Sequence, residues 1–173
     1  VDENIFQKFV KEMVKIAQNT VIGDGFDEKS NYGPINNKIQ FERGIELIQD
    51  AVSKGAKIMN AKGGELSENY SYPAVLYPVN DEMNVYHEEQ FGPVLPIITY
   101  TDIDDAISAA NGLEFGLDAS VWGSDAEATA AVAARLEAGT VLINKHGEIA
   151  PHIPFGGIKC SGLGVEFGEE GLA

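Results

Sequence analysis

Between Val94 and Asn144 the chain alternates apolar extended runs with amphipathic helical ones, and no other feature narrows its fold as much. Val94 to Tyr100 is apolar and strand-like. Thr101, with Asp104 three residues on, is placed to cap a helix whose buried stripe is Ile103, Ala106, Ile107 and Ala110, and Asn111-Gly112 closes it. Ala119 to Trp122 reads as a strand. Ser124 and Glu127 form a capping box for an alanine-rich helix that Gly139 terminates. Thr140 to Asn144 is the next strand. Strand, helix, strand, helix, strand with short connections predicts a parallel sheet with right-handed crossovers. The expected fold class is α/β, a mostly parallel sheet flanked by helices.

The first half of the chain is less regular. Residues 3–18 predict a helix with one apolar face, built from Ile5, Phe6, Phe9, Val10, Met13, Val14 and Ala17. The turn-rich stretch GDGFDEKSNYGP follows. Asn36 or Asn37 is then placed to cap a second helix running to about Lys54, with Ile39, Ile45, Ile48, Ala51 and Val52 facing inward and Gly55 ending it. Ala56 to Met59 is a short strand candidate and AKGGELSEN a polar loop. Tyr72 to Val79 reads as extended, but Pro73 and Pro78 point to an edge or irregular strand rather than a central one. From Lys145 to Gly168 the chain reads as an irregular, glycine-rich loop.

Bulk properties exclude several functions. The 173 residues suit one domain with a sizeable core. The formal net charge of −15 argues against nucleic acid and anionic membrane surfaces as partners. No apolar run approaches the ~20 residues of a membrane span. The start, VDENIFQKF, lacks the basic and then apolar character of a signal peptide. The single cysteine, Cys160, excludes an internal disulfide framework and fits a reducing compartment, so the expected location is cytoplasmic. The first residue is valine, and the last residues, EFGEEGLA, read as the start of a helix. Both ends therefore suggest a piece of a longer protein.

Three groups of residues invite a chemical reading. The tail PFGGIKCSGLGVEFG has Gly162, Gly164 and Gly168 in a GxGxxxG pattern, one residue off the dinucleotide fingerprint. No strand is expected to run into it and no acid follows at the required distance. Its glycines are read instead as positions of positive φ or close backbone approach. Cys160 has Lys159 beside it, but neighbours on an extended chain point opposite ways, so the cysteine reads as non-catalytic. His87, His146 and His152 form no HxxxH or HxH pair, so no metal site is expected. The third group is HEEQFGPVLPI. Its acids, Glu88 and Glu89, suit glycoside hydrolysis poorly, because acids adjacent in sequence rarely face each other across a bond. A helix N-terminus or the hydroxyls of a ribose are the other uses for such a pair, and a solvated pair is the plainest. Phe91-Gly92-Pro93 favours the ribose, since an aromatic held rigidly beside a ribose-binding acid can pack on a flat cofactor ring.

Three long segments, in order and covering essentially the whole chain, carry a resemblance. They are YGPINNKIQFERGIELIQDAVSKGAKI, HEEQFGPVLPIITYTDIDDAISAANGLEFGLDASVW and EAGTVLINKHGEIAPHIPFGGIKCSGLGVEFGEEGL. Together they resemble the C-terminal, catalytic-domain part of the NAD(P)-dependent aldehyde dehydrogenase superfamily. The resemblance implies that Glu89 binds the nicotinamide-side ribose, that Phe91 packs by the nicotinamide, and that Gln40 lies near the adenine-side ribose. It implies a substrate tunnel lined by Phe155, approached by Asn144, and shaped by the variable loop bearing Ile149 and His152. Family members often carry an aromatic near position 149, so isoleucine there leaves substrate preference open.

The resemblance also implies what this chain does not hold. The nucleophilic cysteine, the general-base glutamate, the oxyanion-hole asparagine and the phosphate-binding loop all belong to segments upstream of its first helix. Cys160 falls at a variable family position. The chain is thus expected to be a single partial catalytic domain, inactive alone. It would be a fragment of an enzyme that oxidises aldehydes to carboxylic acids with NAD, or NADP, through a cysteine thiohemiacetal and thioester. A small-molecule aldehyde is the expected partner, and a homo-oligomer the expected state of the full-length protein. The alternative from another class is a non-catalytic binding or oligomerisation module of the same fold.

Overall fold

A computed structural model describes residues 1–60 and 63–172, arranged as two compact units, Val1–Thr101 and a second that begins at Asp102. The first unit contains α1 (Phe6–Asn19), α2 (Lys38–Ser53), β1 (Lys57–Ile58), β2 (Gly64–Ser67), β3 (Tyr70–Tyr72), β4 (Ala74–Tyr77), α3 (Asn84–His87) and β5 (Val94–Pro96). Its centre is the three-stranded sheet β1-β4-β5, antiparallel between β1 and β4 and parallel between β4 and β5. Successive side chains on a strand face opposite ways, and β4 is buried on both faces. Ala74 and Leu76 join Leu47, Ile48 and Ala51 of α2, while Val75 joins Phe6, Val10 and Ala17 of α1. A helix therefore covers each side of the sheet. Each fully buried leucine, Leu47 and Leu76, contributes about 2 kcal/mol by leaving water.

The expectation of an edge strand for Tyr72 to Val79 is overturned. Pro73 and Pro78 lie just outside β4, one at each end, so neither removes a ladder hydrogen bond. The buried Asn60 extends the ladder past β1. Its side-chain oxygen accepts from the Val75 N–H at 2.9 Å and its amide donates to the Pro73 carbonyl at 2.6 Å. AKGGELSEN is also more ordered than expected. Gly64–Ser67 pairs with Tyr70–Tyr72 as a hairpin, turning through Glu68 and Asn69 at positive φ. Ala61 and Lys62 of that stretch lie outside the described residues. Asn37 is the cap of α2, its oxygen accepting from the Gln40 N–H at 2.9 Å. The inward face of α2 is rotated from the one expected: Ile39 is 80% exposed and Val52 is exposed, while Gly44 and Leu47 are buried.

The second unit contains α4 (Ile103–Asn111), β6 (Phe115–Gly116), β7 (Asp118–Val121), α5 (Ala126–Ala133), β8 (Thr140–Ile143), β9 (Phe155–Gly156), β10 (Ile158–Lys159) and β11 (Val165–Glu166), with a 3₁₀ turn at Glu170–Leu172. Ala173 lies outside the described residues. β7 and β8 pair in parallel across the α5 crossover, as the alternation predicts. The antiparallel pairs β6-β10 and β9-β11 are two residues long. The α/β class therefore holds, with parallel pairing at β4-β5 and β7-β8. But β5 belongs to the sheet of the first unit and β7 to that of the second, so the crossover expected through α4 does not join strands of one sheet, and the other strand pairs among the described residues are antiparallel. Both expected caps shift by one residue: Asp102 rather than Thr101 caps α4, and Asp125 rather than Ser124 caps α5. Aspartate accepts from the helix N–H groups and also meets the positive end of the dipole. α5 ends at Ala133, earlier than Gly139 suggests, because a turn through Arg135 and Leu136 leads to β8.

The glycine-rich tail is ordered by close backbone packing. Gly162 and Gly168 have positive φ, as expected of them, but Gly164 has neither a positive φ nor a close neighbour. Gly139 is the tightest position: a Cβ there would overlap the carbonyl oxygen of Gly156. Backbone cannot retreat as a flexible side chain can. Gly139→Ala should therefore lower unfolding stability by about 3 kcal/mol, read from urea denaturation, whereas Gly164→Ala, in open space, should cost far less.

Candidate functional site

The pair Glu88-Glu89 divides into two unlike groups. Arg43 of α2 donates from Nε to Glu88 Oε2 at 3.0 Å and from Nη2 to both Glu88 oxygens at 2.5 Å. Its Nη1 donates to Glu46 at 2.6 Å. These bonds raise the already high pKa of Arg43 further, so the guanidinium stays charged. Glu89 makes no hydrogen bond or ion pair within the described residues, and it is exposed. Glu88 is extended, with φ −99° and ψ 137°, and successive side chains on extended backbone point apart. Fastening Glu88 to α2 therefore turns Glu89 away from α2.

Rigid neighbours hold the loop that follows. Gln90 Nε2 donates to the Val94 carbonyl at 2.9 Å, and the Ala74 N–H donates to the Pro93 carbonyl at 2.8 Å. Gly92 lies over the buried Ile35, which a Cβ would meet at 3.5 Å. Between these anchors Phe91 is 64% exposed, an apolar ring with no partner cluster. Gln40 stands one turn before Arg43 on α2, and is half-buried. Gln40, Glu89 and Phe91 thus share one scaffold, α2 and the segment clamped to it. The sequence pattern missed Arg43 as the organiser. It pairs across 45 residues, and the one local hint is its place on the helix face of Gln40.

The remaining predicted residues belong to the second unit. Asn144, at positive φ, gives both ends of its amide to Gly123: Oδ1 accepts from the N–H and Nδ2 donates to the carbonyl, each at 2.9 Å. Its side chain thus ties the end of β8 to the end of β7. Ile149 and His152 are exposed on the loop after β8. Phe155 is half-buried in β9, paired with Glu166 of β11. Lys159 does not serve Cys160. Its ammonium donates to the Asn111 carbonyl at 2.6 Å and the Leu113 carbonyl at 3.3 Å, and meets Glu137 at 3.0 Å. Cys160 is an exposed free thiol. No cluster of three potential metal ligands occurs among the described residues.

Comparison with known proteins gives a consistent result. The model of the Aldehyde dehydrogenase family matches residues 1–173. Retinal dehydrogenase 2 of Gallus gallus is 38% identical over 173 residues, covering 99% of this chain and 33% of that protein. Retinaldehyde dehydrogenase 3 of Homo sapiens is 38% identical over 176 residues, covering 100% of this chain and 34% of that protein. Among solved structures, an aldehyde dehydrogenase from Bacillus cereus superposes with a TM-score of 0.93 at 35% identity, over 99% of this chain and 35% of that one. A succinic semialdehyde dehydrogenase from Streptococcus pyogenes, solved with NADP+, gives a TM-score of 0.91 at 29% identity, over 99% of this chain and 38% of that one. The chain spans about a third of the length of the curated relatives it matches.

The clamp has a second tooth with a pH signature. Asp50 meets Lys54 at 2.7 Å and accepts the Asn84 N–H at 2.8 Å; these two bonds hold its carboxyl below the ordinary range. A lowered folded value stabilises above the unfolded value and is lost as pH falls through the folded one. Stability from Asp50 should thus be complete near neutrality and vanish only below about pH 4. Asp50→Asn should flatten that acid limb of the stability profile, and carboxyl carbon NMR titration should place Asp50 below the exposed aspartates.

Proposed function

The chain belongs to the aldehyde dehydrogenase family, and from that premise we propose that it is the cofactor-positioning and tunnel-shaping part of an NAD(P)-dependent enzyme that oxidises an aldehyde to a carboxylic acid. The observation that carries this reading is the unpartnered carboxylate of Glu89 beside the exposed ring of Phe91. Two acceptor oxygens suit the adjacent hydroxyls of a ribose, and a flat apolar ring suits the face of a nicotinamide. Bound there, a nicotinamide would supply a hydride acceptor for the reacting carbon. Glu89 holds the ribose, Phe91 packs beside the ring, and Gln40 meets the adenine-side ribose. None of these residues moves a proton. Their contribution is orientation, worth up to about 7–11 kcal/mol of barrier when two reactants are fully aligned.

The substrate side is proposed for Phe155, Ile149 and His152, with Asn144 securing the strand end from which their loop departs. The reaction runs through a cysteine thiohemiacetal and a thioester. Cys160 is not proposed as the nucleophile, since the ammonium nearest it in sequence is committed to three other oxygens. NAD is the proposed cofactor, with NADP the alternative, and the whole protein is proposed to be a cytoplasmic homo-oligomer. The chain is then one part of a catalytic domain and oxidises no aldehyde alone.

Two measurements test this. In the natural protein that carries this sequence, Glu89→Gln should slow single-turnover NADH formation about a hundredfold while leaving the fold intact. An unchanged rate would remove Glu89 from the site. The isolated chain should form no NADH from an aldehyde, and NADH formation that survives Cys160→Ser would contradict the proposed division of roles.

A further inference from the structure

The polar face of α2 does more than the ribose contacts require. Arg43, Asp50 and Lys54 lie along one side of the helix, in line with Gln40. All three grip the segment between β4 and β5. Lys54 Nζ donates to the Glu82 carbonyl at 2.6 Å. Asp50 Oδ2 accepts from the Asn84 N–H at 2.8 Å, at the first turn of α3. Arg43 holds both oxygens of Glu88. As the helix is followed backwards from 54 to 43, the contacts advance from 82 to 88. The segment is therefore zipped antiparallel to α2, and the zip ends one residue before Glu89.

We propose that Arg43 is a positioning residue for the cofactor site. Its two-pronged hold on Glu88 fixes the backbone from which Glu89 and Phe91 project, and references it to the helix that carries Gln40. The inference rests on the reading of Glu89 given above. A planar guanidinium that binds both carboxylate oxygens fixes orientation as well as distance. A lysine ammonium at position 43 would supply charge without that fork. The half-exposed pair adds little to stability, so orientation is the larger consequence.

The test compares Arg43→Met, Arg43→Lys and the reciprocal exchange R43E with E88R, using Glu89→Gln as the reference, all in the natural protein that carries this sequence. The readouts are the single-turnover hydride-transfer rate at saturating cofactor, the fraction of active sites from the burst amplitude, and the melting temperature. Arg43→Met should slow transfer per active site about tenfold or more, with Arg43→Lys intermediate and the exchange recovering most of the loss. A merely structural role would reduce the active fraction and leave the rate per site unchanged. If Arg43→Met and Arg43→Lys transfer within about twofold of the parent while Glu89→Gln is slow, the positioning role is overturned and the Glu89 reading stands. If Glu89→Gln is itself as fast as the parent, both fall. Where Arg43→Met does not accumulate as folded protein, Arg43→Lys and the exchange decide by the same rates.

Discussion

The double burial of β4 is the constraint on which the first unit depends. A strand covered on both faces needs an apolar side chain at every position, and Ala74, Val75 and Leu76 provide it. It also needs two layers above and below, which α1 and α2 provide. Its backbone must be paired along both edges. β1 and Asn60 serve one edge, and β5 with the Pro93 carbonyl serves the other. That last bond also anchors the loop that bears Glu89 and Phe91. The EEQFGP segment ends where β4 begins, so the buried core sets the height of the loop, and α2 sets its tilt.

Two adjacent glutamates on this loop would repel each other if both stood free in the same place. The structure separates them by pairing one and turning the other out. An exposed ion pair contributes little to folding, so retaining a bidentate pair at Glu88 is better explained by direction than by stability. Extended backbone then converts the orientation of one side chain into that of the next. The same logic runs through the zip along α2. Asp50 satisfies the first free N–H of α3, a four-residue helix without a side-chain cap of its own. The short helix is held by its neighbour rather than by its own sequence.

What the sequence made legible follows from the range of the interactions involved. The cap at Asn37, the end at Gly55 and the parallel β7-α5-β8 crossover are local, and each was readable from a few residues. The caps of α4 and α5 were misplaced by one residue because two polar residues stand side by side at each start, and the choice falls to the aspartate. Pro73 and Pro78 look like interruptions because strand ends are not visible in a hydrophobic pattern. The exposure of Ile39 and the burial of Leu47 depend on where the sheet lies relative to α2, which no helical period specifies. The Arg43–Glu88 pair joins positions 45 apart, and the sequence offered the two acids without saying which was free.

The tail is ordered by pairs of very short strands. Strands β9, β10 and β11 pair with each other or with β6. The backbone at Gly156 crosses so close to Gly139 that position 139 leaves no room for a side chain, and Gly168 turns at positive φ against Pro154. Close packing thus accounts for Gly139 and Gly168, while Gly162 and Gly164 face open space. Phe155, next to Gly156, inherits its place from that crossing. Lys159 completes the arrangement by capping the carbonyls at the end of α4 from across the β6-β10 pair, which is the natural place for a cation at a helix C-terminus. With its ammonium held there, Lys159 is not available to the neighbouring Cys160 thiol. The contacts that order this tail thus also occupy the cation next to Cys160 in sequence.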